Sequence, residues 1–332
     1  MPRRPISFEG RPLLDIASYA RQGSGRRDRL SPEEIEVTSR TMHRTPEVMV
    51  KVLTRGGQNL GAVRRHFEYL NRKGALEIET DDGKRLGGKG FERALIDDWD
   101  LDLDEDRRSA HLESRPNRRP PKLVHKVLFS MPPGTLPQKV LEAVKNFARE
   151  EFGLKHRYAM VLHTDEPHPH VHMVVKAVSE QGKRLNIRKA TLRGWRQEFA
   201  RHLRALGVPA NATERAVRGE NRSPKLDGIY RAEQRGESRR VWARVEQVNR
   251  ELVTGGIQTE AGKDTLMKTR DNVERGLWKI GEILAGQGYR ELAIEAMQFI
   301  SRIPPPRSDR EMTAEDLCKY HRDRWDSDGP TR

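Results

Sequence analysis

The sequence predicts an α+β fold in the first two-thirds of the chain, followed by an α-helical C-terminal region. Two observations support that prediction. Five short segments before residue 180 have the apolar runs of strands, and their hairpin-compatible spacing does not follow strict βαβ alternation. After residue 238, every apolar pattern repeats with the period of a helix. We therefore expect three parts: a basic, flexible arm over residues 1–45, the α+β domain over 46–225, and a helical region with a polar tail over 226–332.

Local signals define the elements of the α+β domain in chain order. A helix is expected from Leu60 to about Arg72, where apolar residues recur at helical spacing. Thr135 can cap the next helix, Pro137 suits its first turn and Gly153 ends it. A basic amphipathic helix follows the last strand, over residues 191–208. Strands are expected at residues 48–53, 75–80, 123–131, 157–163 and 170–179.

Composition limits the class of partner and the compartment. The 332 residues hold 63 Lys and Arg against 49 Asp and Glu, which gives a net charge of +14. That charge favours a polyanionic partner, with nucleic acid first and an acidic membrane surface second. A single cysteine, Cys318, excludes an intrachain disulfide framework and a cysteine-based zinc cluster. No apolar run approaches a membrane span and the start lacks a signal-peptide pattern, so we expect a cytoplasmic protein without membrane insertion.

The stretch HTDEPHPHVHMVV concentrates four of the eleven histidines of the chain. Side chains two residues apart in a strand point to the same face of a sheet, so His170 and His172 project together. His163 ends the preceding predicted strand, and pairing of the two strands would bring it beside them. Three imidazoles without a thiolate predict an open site for a divalent ion.

Two further residues belong to this cluster. Asp165 follows His163 closely enough for its carboxylate to accept the second N–H of a ligand histidine. His168 lies in the turn and ranks fourth among the histidines. The competing interpretation is a polar sheet face whose histidines hydrogen-bond to their neighbours; the combined spacing and the nearby carboxylate favour the metal site.

Tyr69 is the candidate nucleophile. It falls outside the apolar stripe of its predicted helix, which consists of Leu60, Val63, Phe67 and Leu70. Such a tyrosine either covers its neighbours on the surface or acts as a phenol nucleophile. The second role requires nearby positive charge or a metal-polarised electrophile, because a free phenol has a pKa near 10. Arg65, Arg72 and Lys73 can supply the charge.

The tyrosine in EYLNRKG, followed by HTDEPHPHVHMVV, resembles the conjugative relaxases, or mobilisation nucleases, of the HUH endonuclease superfamily. The most similar branch contains the T-DNA border endonucleases. The resemblance covers about residues 46–222, and the three-histidine motif is its more specific part. It implies an antiparallel sheet of about five strands with flanking helices.

The resemblance also implies an activity. Tyr69 would nick one strand at a plasmid origin of transfer and remain attached as a 5′-phosphotyrosine until the strand is rejoined. His163, His170 and His172 would hold a divalent ion, Mg²⁺ or Mn²⁺ first and Zn²⁺ as the alternative, and Asp165 would orient a ligand histidine. The implied partners are single-stranded origin-of-transfer DNA, accessory mobilisation proteins and the coupling protein of a type IV secretion system.

Two points stay open within this resemblance. Some relatives carry acidic residues on the strand that corresponds to residues 123–131, which here holds His125, Lys126 and Ser130, so the general base is not assigned. The remaining alternatives are a rolling-circle replication initiator of the same superfamily, a non-catalytic basic DNA-binding protein and a zinc hydrolase.

The basic helix after the histidine motif is the predicted holder of DNA phosphates. Its arginines would make salt-dependent contacts together with Arg65, Arg72 and Lys73 near the tyrosine. Trp195 on the same helix is expected to pack in the core rather than to stack on a base. The helix arginines assigned this role are Arg193, Arg196, Arg201 and Arg204.

Overall fold

The computed structural model of the chain describes residues 29–53, 57, 59–114, 121–220 and 235–327. These residues form two compact units, one within His43–Ala212 and one of residues 29–42 together with 213–327. The first unit is α+β and the second is helical, which confirms the predicted fold class. The units divide after residues 42 and 212, whereas the sequence placed the divisions after 45 and 225.

The α+β unit contains a six-stranded sheet in which all paired strands are antiparallel. Five of its strands are the predicted ones. The sixth, β3, has only two residues and follows a tight turn, so it is too short to leave an alternating pattern in the sequence. From edge to edge the sheet runs β1 (Met49–Leu53), β4 (Val124–Ser130), β6 (His170–Lys176), β5 (Tyr158–His163), β2 (Ile78–Thr80) and β3 (Arg85–Leu86).

Helices cover both faces of this sheet, and further helices build the second unit. Within the α+β unit they are α2 (Leu60–Leu70), α3 (Phe91–Asp98), α4 (Leu101–Ser114), α5 (Pro137–Phe152) and α6 (Lys189–Ala205). In the helical unit they are α1 (Pro32–Met42), α7 (Arg239–Val253), α8 (Lys263–Gly286), α9 (Arg290–Arg302) and α10 (Asp309–Ser327).

One sheet face packs against α5 and α6. Val171, Met173 and Val175 of β6 are fully buried there, as their parity opposite the histidines predicts. Trp195 is also buried, and its ring centroid lies 5.5 Å from that of Phe152, which confirms that this tryptophan packs in the core. The face is therefore a structural core.

The other face packs against α2, α3 and α4. Phe67 of α2 is fully buried, with its ring edge-to-face against Phe91 and Trp99 at centroid distances of 6.4 Å and 5.9 Å. Val161 and Val174 supply the sheet side of this core. The contacts fix the orientation of α2 over the sheet face that also carries the histidines.

The ends of α5 test the predicted caps. Gly153 is the C-cap, as expected, and a Cβ there would lie 2.4 Å from the carbonyl oxygen of Arg149. The predicted N-cap is wrong: the cap residue is Leu136, and it makes no side-chain capping bond. The hydroxyl of Thr135 instead donates to the carbonyl of Pro132 at 2.9 Å, which closes the preceding turn.

The helical unit is built around Leu277, Ile280 and Leu284 of α8, which recur at helical spacing and are all fully buried. Leu30 and Val37 pack into the same core. Residues 30–42 therefore depart from the predicted flexible arm, because α1 has an apolar side to bury; residues 1–28 lie outside the described residues. No helix in the described part of the chain has the length and apolarity needed to cross a membrane.

Candidate active site

The register of β5 and β6 brings three histidines together. His163 lies directly opposite His170, and Val161 lies opposite His172, so the three imidazoles share one sheet face. Their ring centroids are 4.7 to 5.4 Å apart. One ring nitrogen from each lies within 4.8 Å of the others, which is close enough for a single metal ion to contact all three.

Backbone carbonyls orient two of these rings. His163 donates from Nε2 to the carbonyl of Leu70 at 2.9 Å, and His170 donates from Nδ1 to the carbonyl of His168 at 2.9 Å. Because a carbonyl can only accept, the lone pairs that remain are on Nδ1 of His163 and Nε2 of His170. Leu70 is the last residue of α2, where helical carbonyls lack an intrahelical partner. The end of the tyrosine-bearing helix thus fixes a histidine of the cluster.

Burial favours the neutral, metal-binding form of two of the three histidines, His163 and His172. Burial, followed by repulsion from His163 and His170, lowers the pKa of His172 to about 3. Burial also lowers the pKa of His163. Neutral imidazole suits a divalent transition ion, so the three rings form a possible metal-binding group. His168 is exposed and contributes its backbone carbonyl rather than its ring.

Tyr69 lies beside this cluster. Because α2 buries Val63, Phe67 and Leu70, Tyr69 falls on the flank of the helix, with 46% of its surface exposed. Its ring centroid is 6.1 Å from that of His172 and 6.3 Å from that of His163.

The other described tyrosines lie elsewhere. Tyr158 is buried in the core on the opposite sheet face, and Tyr289 and Tyr320 belong to the helical unit. Tyr19 and Tyr230 are outside the described residues.

Arg72 links the tyrosine to the histidines. Its guanidinium carbon lies 4.8 Å from the centroid of the Tyr69 ring, and its Nη2 lies 3.2 Å from Nδ1 of His163. The same guanidinium forms an ion pair with Asp165. The sequence predicted that Asp165 would accept from a ligand histidine. In the described residues its recorded partner is Arg72, because backbone carbonyls already take the orienting N–H groups of His163 and His170.

His66 and Lys126 are two site residues that the sequence analysis did not select. His66 is buried, its ring stacks on Tyr69 at 6.1 Å, and its Nε2 has no hydrogen-bond partner in the described structure. Burial, with repulsion from Lys126, lowers its pKa to about 3. In the sequence, its position three residues before Tyr69 on the same predicted helix was the feature that could have identified His66 as a neighbour of that tyrosine.

Lys126 is 8% exposed, and burial lowers its pKa to about 8. It shares the sheet face of the histidines, since Leu128 pairs with His172 and Lys126 is two residues along the same strand.

The predicted DNA-binding residues divide into two groups. Arg65 and Lys73 are exposed near Tyr69, on the histidine side of the sheet. The four arginines of α6 lie on a helix that packs against the opposite face, so the structure does not bring them to the histidines. Among these, Arg201 is paired with Glu150 and Glu198, and Arg204 donates to the carbonyl of Ala210 at 2.9 Å.

Comparisons with known proteins agree with the fold and the cluster. Residues 78–208 match the family model described as "Relaxase: MobA/VirD2-like, nuclease domain". That span contains the three histidines and begins after Tyr69. No solved structure matches the chain.

Curated relatives give the branch of the family. The chain is 26% identical over 220 residues to the T-DNA border endonuclease VirD2 of Agrobacterium fabrum, covering 59% of the chain and 46% of that protein. It is 26% identical over 217 residues to the protein of the same name from Rhizobium radiobacter, covering 59% and 48%. The chain thus spans about half the length of these relatives. With the antiparallel sheet and the histidine cluster, these matches support a relaxase of the VirD2 branch, in which residues 78–208 correspond to the nuclease domain of MobA/VirD2-like relaxases.

Proposed function

We propose that this domain nicks one strand of DNA at a specific site and later rejoins it, with Tyr69 as the nucleophile. The observation that carries the proposal is the position of Tyr69. This half-exposed phenol lies 6.1 Å and 6.3 Å, between ring centroids, from two histidines of a cluster suited to a divalent ion. A reactive phenol and a metal-binding cluster on one accessible face are the two parts that phosphodiester transfer requires.

The reaction conserves the energy of the phosphodiester bond. The phenol of Tyr69 loses its proton as its oxygen attacks phosphorus, the bond from phosphorus to the 3′-oxygen breaks, and the 3′-oxygen takes up one proton to leave as a hydroxyl, so that no net proton is gained or lost. The product is a 5′-phosphotyrosine, and attack by a 3′-hydroxyl reverses the step. No water is consumed, so the strand can be rejoined without another energy source.

The protein side chains have separate roles in this proposal. His163, His170 and His172 would hold the ion, Mg²⁺ or Mn²⁺ with Zn²⁺ as the alternative, and when bound it would polarise a non-bridging phosphate oxygen. Arg72 lies over the Tyr69 ring, where its guanidinium can contact a phosphate that approaches the phenol. Arg65 and Lys73 lie where they can contact backbone phosphates.

We infer an origin of transfer as the substrate, cut as single-stranded DNA in the cytoplasm. The net charge of +14 supports a nucleic-acid partner, and the curated relatives carry the name of an endonuclease that acts at a DNA border. Accessory mobilisation proteins and a type IV coupling protein complete the proposed set of partners. A rolling-circle initiator shares the chemistry but often uses two neighbouring tyrosines. Among the described tyrosines only Tyr69 adjoins the cluster, which favours the relaxase.

The test is a cleavage assay on single-stranded oligonucleotides from the locus that encodes the protein, with Mn²⁺ or Mg²⁺. We expect a covalent protein–DNA adduct that disappears with a chelator and in Tyr69→Phe. His170→Ala should slow cleavage on the order of 100-fold or more, since metal polarisation is worth several kcal/mol. Tyr320→Phe is the matched control, because Tyr320 is exposed in the helical unit. Specific binding without any cleavage would instead support a non-catalytic DNA-binding protein.

A further inference from the structure

Only one ring nitrogen of His163 is available to bind either of two cations, the Arg72 guanidinium or a divalent metal ion. Its Nε2–H donates to the carbonyl of Leu70 at 2.9 Å, so Nδ1 carries the only available lone pair of the ring. Nη2 of Arg72 lies 3.2 Å from that Nδ1. A guanidinium can only donate, so Arg72 donates to the same lone pair through which His163 would hold a metal ion.

We propose that Arg72 and the divalent ion compete for Nδ1 of His163, and that Asp165 retains the guanidinium when the ion displaces it. The proposal rests on the metal centre of the proposed function and assigns Arg72 and Asp165 as positioning residues of that centre. Arg72 thereby weakens metal binding, and Asp165 strengthens it.

The backbone holds Arg72 at this position. Arg72 and Lys73 have φ angles of 51° and 58°, in the left-handed region that residues other than glycine rarely adopt. Asn71, which is 1% exposed, stabilises the segment: its side chain accepts from the amide of Gly74, and its carbonyl accepts from the amide of Leu76 at 2.9 Å. Because the backbone is held on both sides, the guanidinium can leave His163 by side-chain rotation alone.

When it leaves His163, the Arg72 guanidinium retains two other contacts. It forms an ion pair with Asp165, whose side chain is 52% exposed, and it lies 4.8 Å over the Tyr69 ring. A guanidinium released from His163 keeps both contacts and offers its remaining N–H groups to an incoming phosphate. Metal loading would therefore leave the Arg72 charge beside the Tyr69 ring and free an N–H group of the guanidinium for the phosphate that the phenol attacks.

Calorimetric titration of the full chain with Mn²⁺ alone, without DNA, tests the competition. Arg72→Asn removes the guanidinium but supplies a residue that tolerates the left-handed conformation. It should bind Mn²⁺ about tenfold more tightly, since a hydrogen bond from a charged donor no longer has to be broken. Asp165→Asn should bind severalfold more weakly. Lys73→Asn is the matched control, with the same backbone region and the same lost charge, and its affinity should stay within about twofold of the wild type.

A second measurement distinguishes the loss of a positioning role of Arg72 from damage to the fold. In the cleavage assay, Arg72→Asn should be slower than the wild type at saturating Mn²⁺ although it binds the ion more tightly, and a damaged fold does not produce that opposite pair of changes. Mn²⁺ affinity of Arg72→Asn equal to or weaker than that of Lys73→Asn overturns the competition. If His163→Ala binds Mn²⁺ as well as the wild type does, the proposed metal centre itself fails. If neither the wild type nor Arg72→Asn binds Mn²⁺, both proposals are rejected.

Discussion

At the scale of single residues, the candidate site contains three basic side chains that are buried away from water. Burial lowers the pKa of His66 and His172 to about 3 and that of Lys126 to about 8. None of the carboxylates that the structure describes is recorded as an ion-pair partner of Lys126. A buried ammonium without such a partner costs folding free energy, and strongly shifted groups of this kind concentrate at functional sites. Lys126 thus makes the sheet face beside the histidines electropositive, where a phosphate would approach.

The cost of burying Lys126 should be measurable. Lys126→Met should raise the free energy of unfolding at pH 7 by about 1 to 2 kcal/mol, since the native state no longer holds an ammonium whose pKa burial has lowered. Between pH 8 and 10.5 the native lysine is neutral while the unfolded one still binds a proton, so the wild type gains stability as the pH rises. Urea denaturation should therefore show that the free energies of unfolding of the wild type and the variant differ less at pH 10 than at pH 7. A less stable variant at pH 7, or a constant difference, contradicts this explanation.

At the scale of elements, helix α2 links the hydrophobic core to the candidate active site. One side of it buries Phe67 between Phe91 and Trp99, its flank exposes Tyr69, and its last carbonyl orients His163. The position of the phenol relative to the histidines therefore depends on the apolar anchor of the helix.

Replacing that anchor should affect both stability and activity. Phe67→Ala should lower the free energy of unfolding by about 3 to 5 kcal/mol, because it leaves a cavity in a fully buried core. It should also slow cleavage under conditions where the variant is still folded. Glu68→Ala, on the exposed side of the same helix, is the control and should change stability by less than about 0.5 kcal/mol. Equal denaturation midpoints for the two variants would show that Phe67 does not anchor α2.

The sequence predicted those features of the elements that depend on periodicity. Strand parity placed His170 and His172 on one face, and the helical stripe placed Tyr69 outside the core. Features that depend on tertiary contacts were missed. His66 lies three residues before Tyr69, but its stacking on that ring became visible only in the packed structure. Asp165 was assigned to a histidine because its pairing with Arg72, 93 residues away in the chain, leaves no local pattern in the sequence.

At the scale of the whole molecule, the excess positive charge is not all available to DNA. Arg65 is exposed on the side of the sheet that carries Tyr69, whereas Arg201 is neutralised by Glu150 and Glu198 on a helix against the other face. A net charge of +14 therefore overstates the number of phosphate contacts that the site can make.

Because Arg65 is exposed and Arg201 is paired, we expect their replacement to change the salt dependence of DNA binding differently. Arg65→Ala should weaken binding of a single-stranded oligonucleotide and reduce the slope of log affinity against log salt concentration by about one. Arg201→Ala should leave that slope unchanged, because its charge is already paired. Fluorescence anisotropy titrations at several salt concentrations measure both slopes. An equal loss of slope for the two variants would mean that DNA also follows the face covered by α6.

We propose above all that Tyr69 forms the covalent bond to DNA. The most direct measurement is mass spectrometry of the protein after incubation with its single-stranded substrate and Mn²⁺, followed by nuclease and protease digestion. We expect one peptide, containing Tyr69, that carries a nucleotide through a 5′-phosphate on the tyrosine. A nucleotide attached to any other residue, or cleaved DNA whose 5′-phosphate is free of protein, would contradict it.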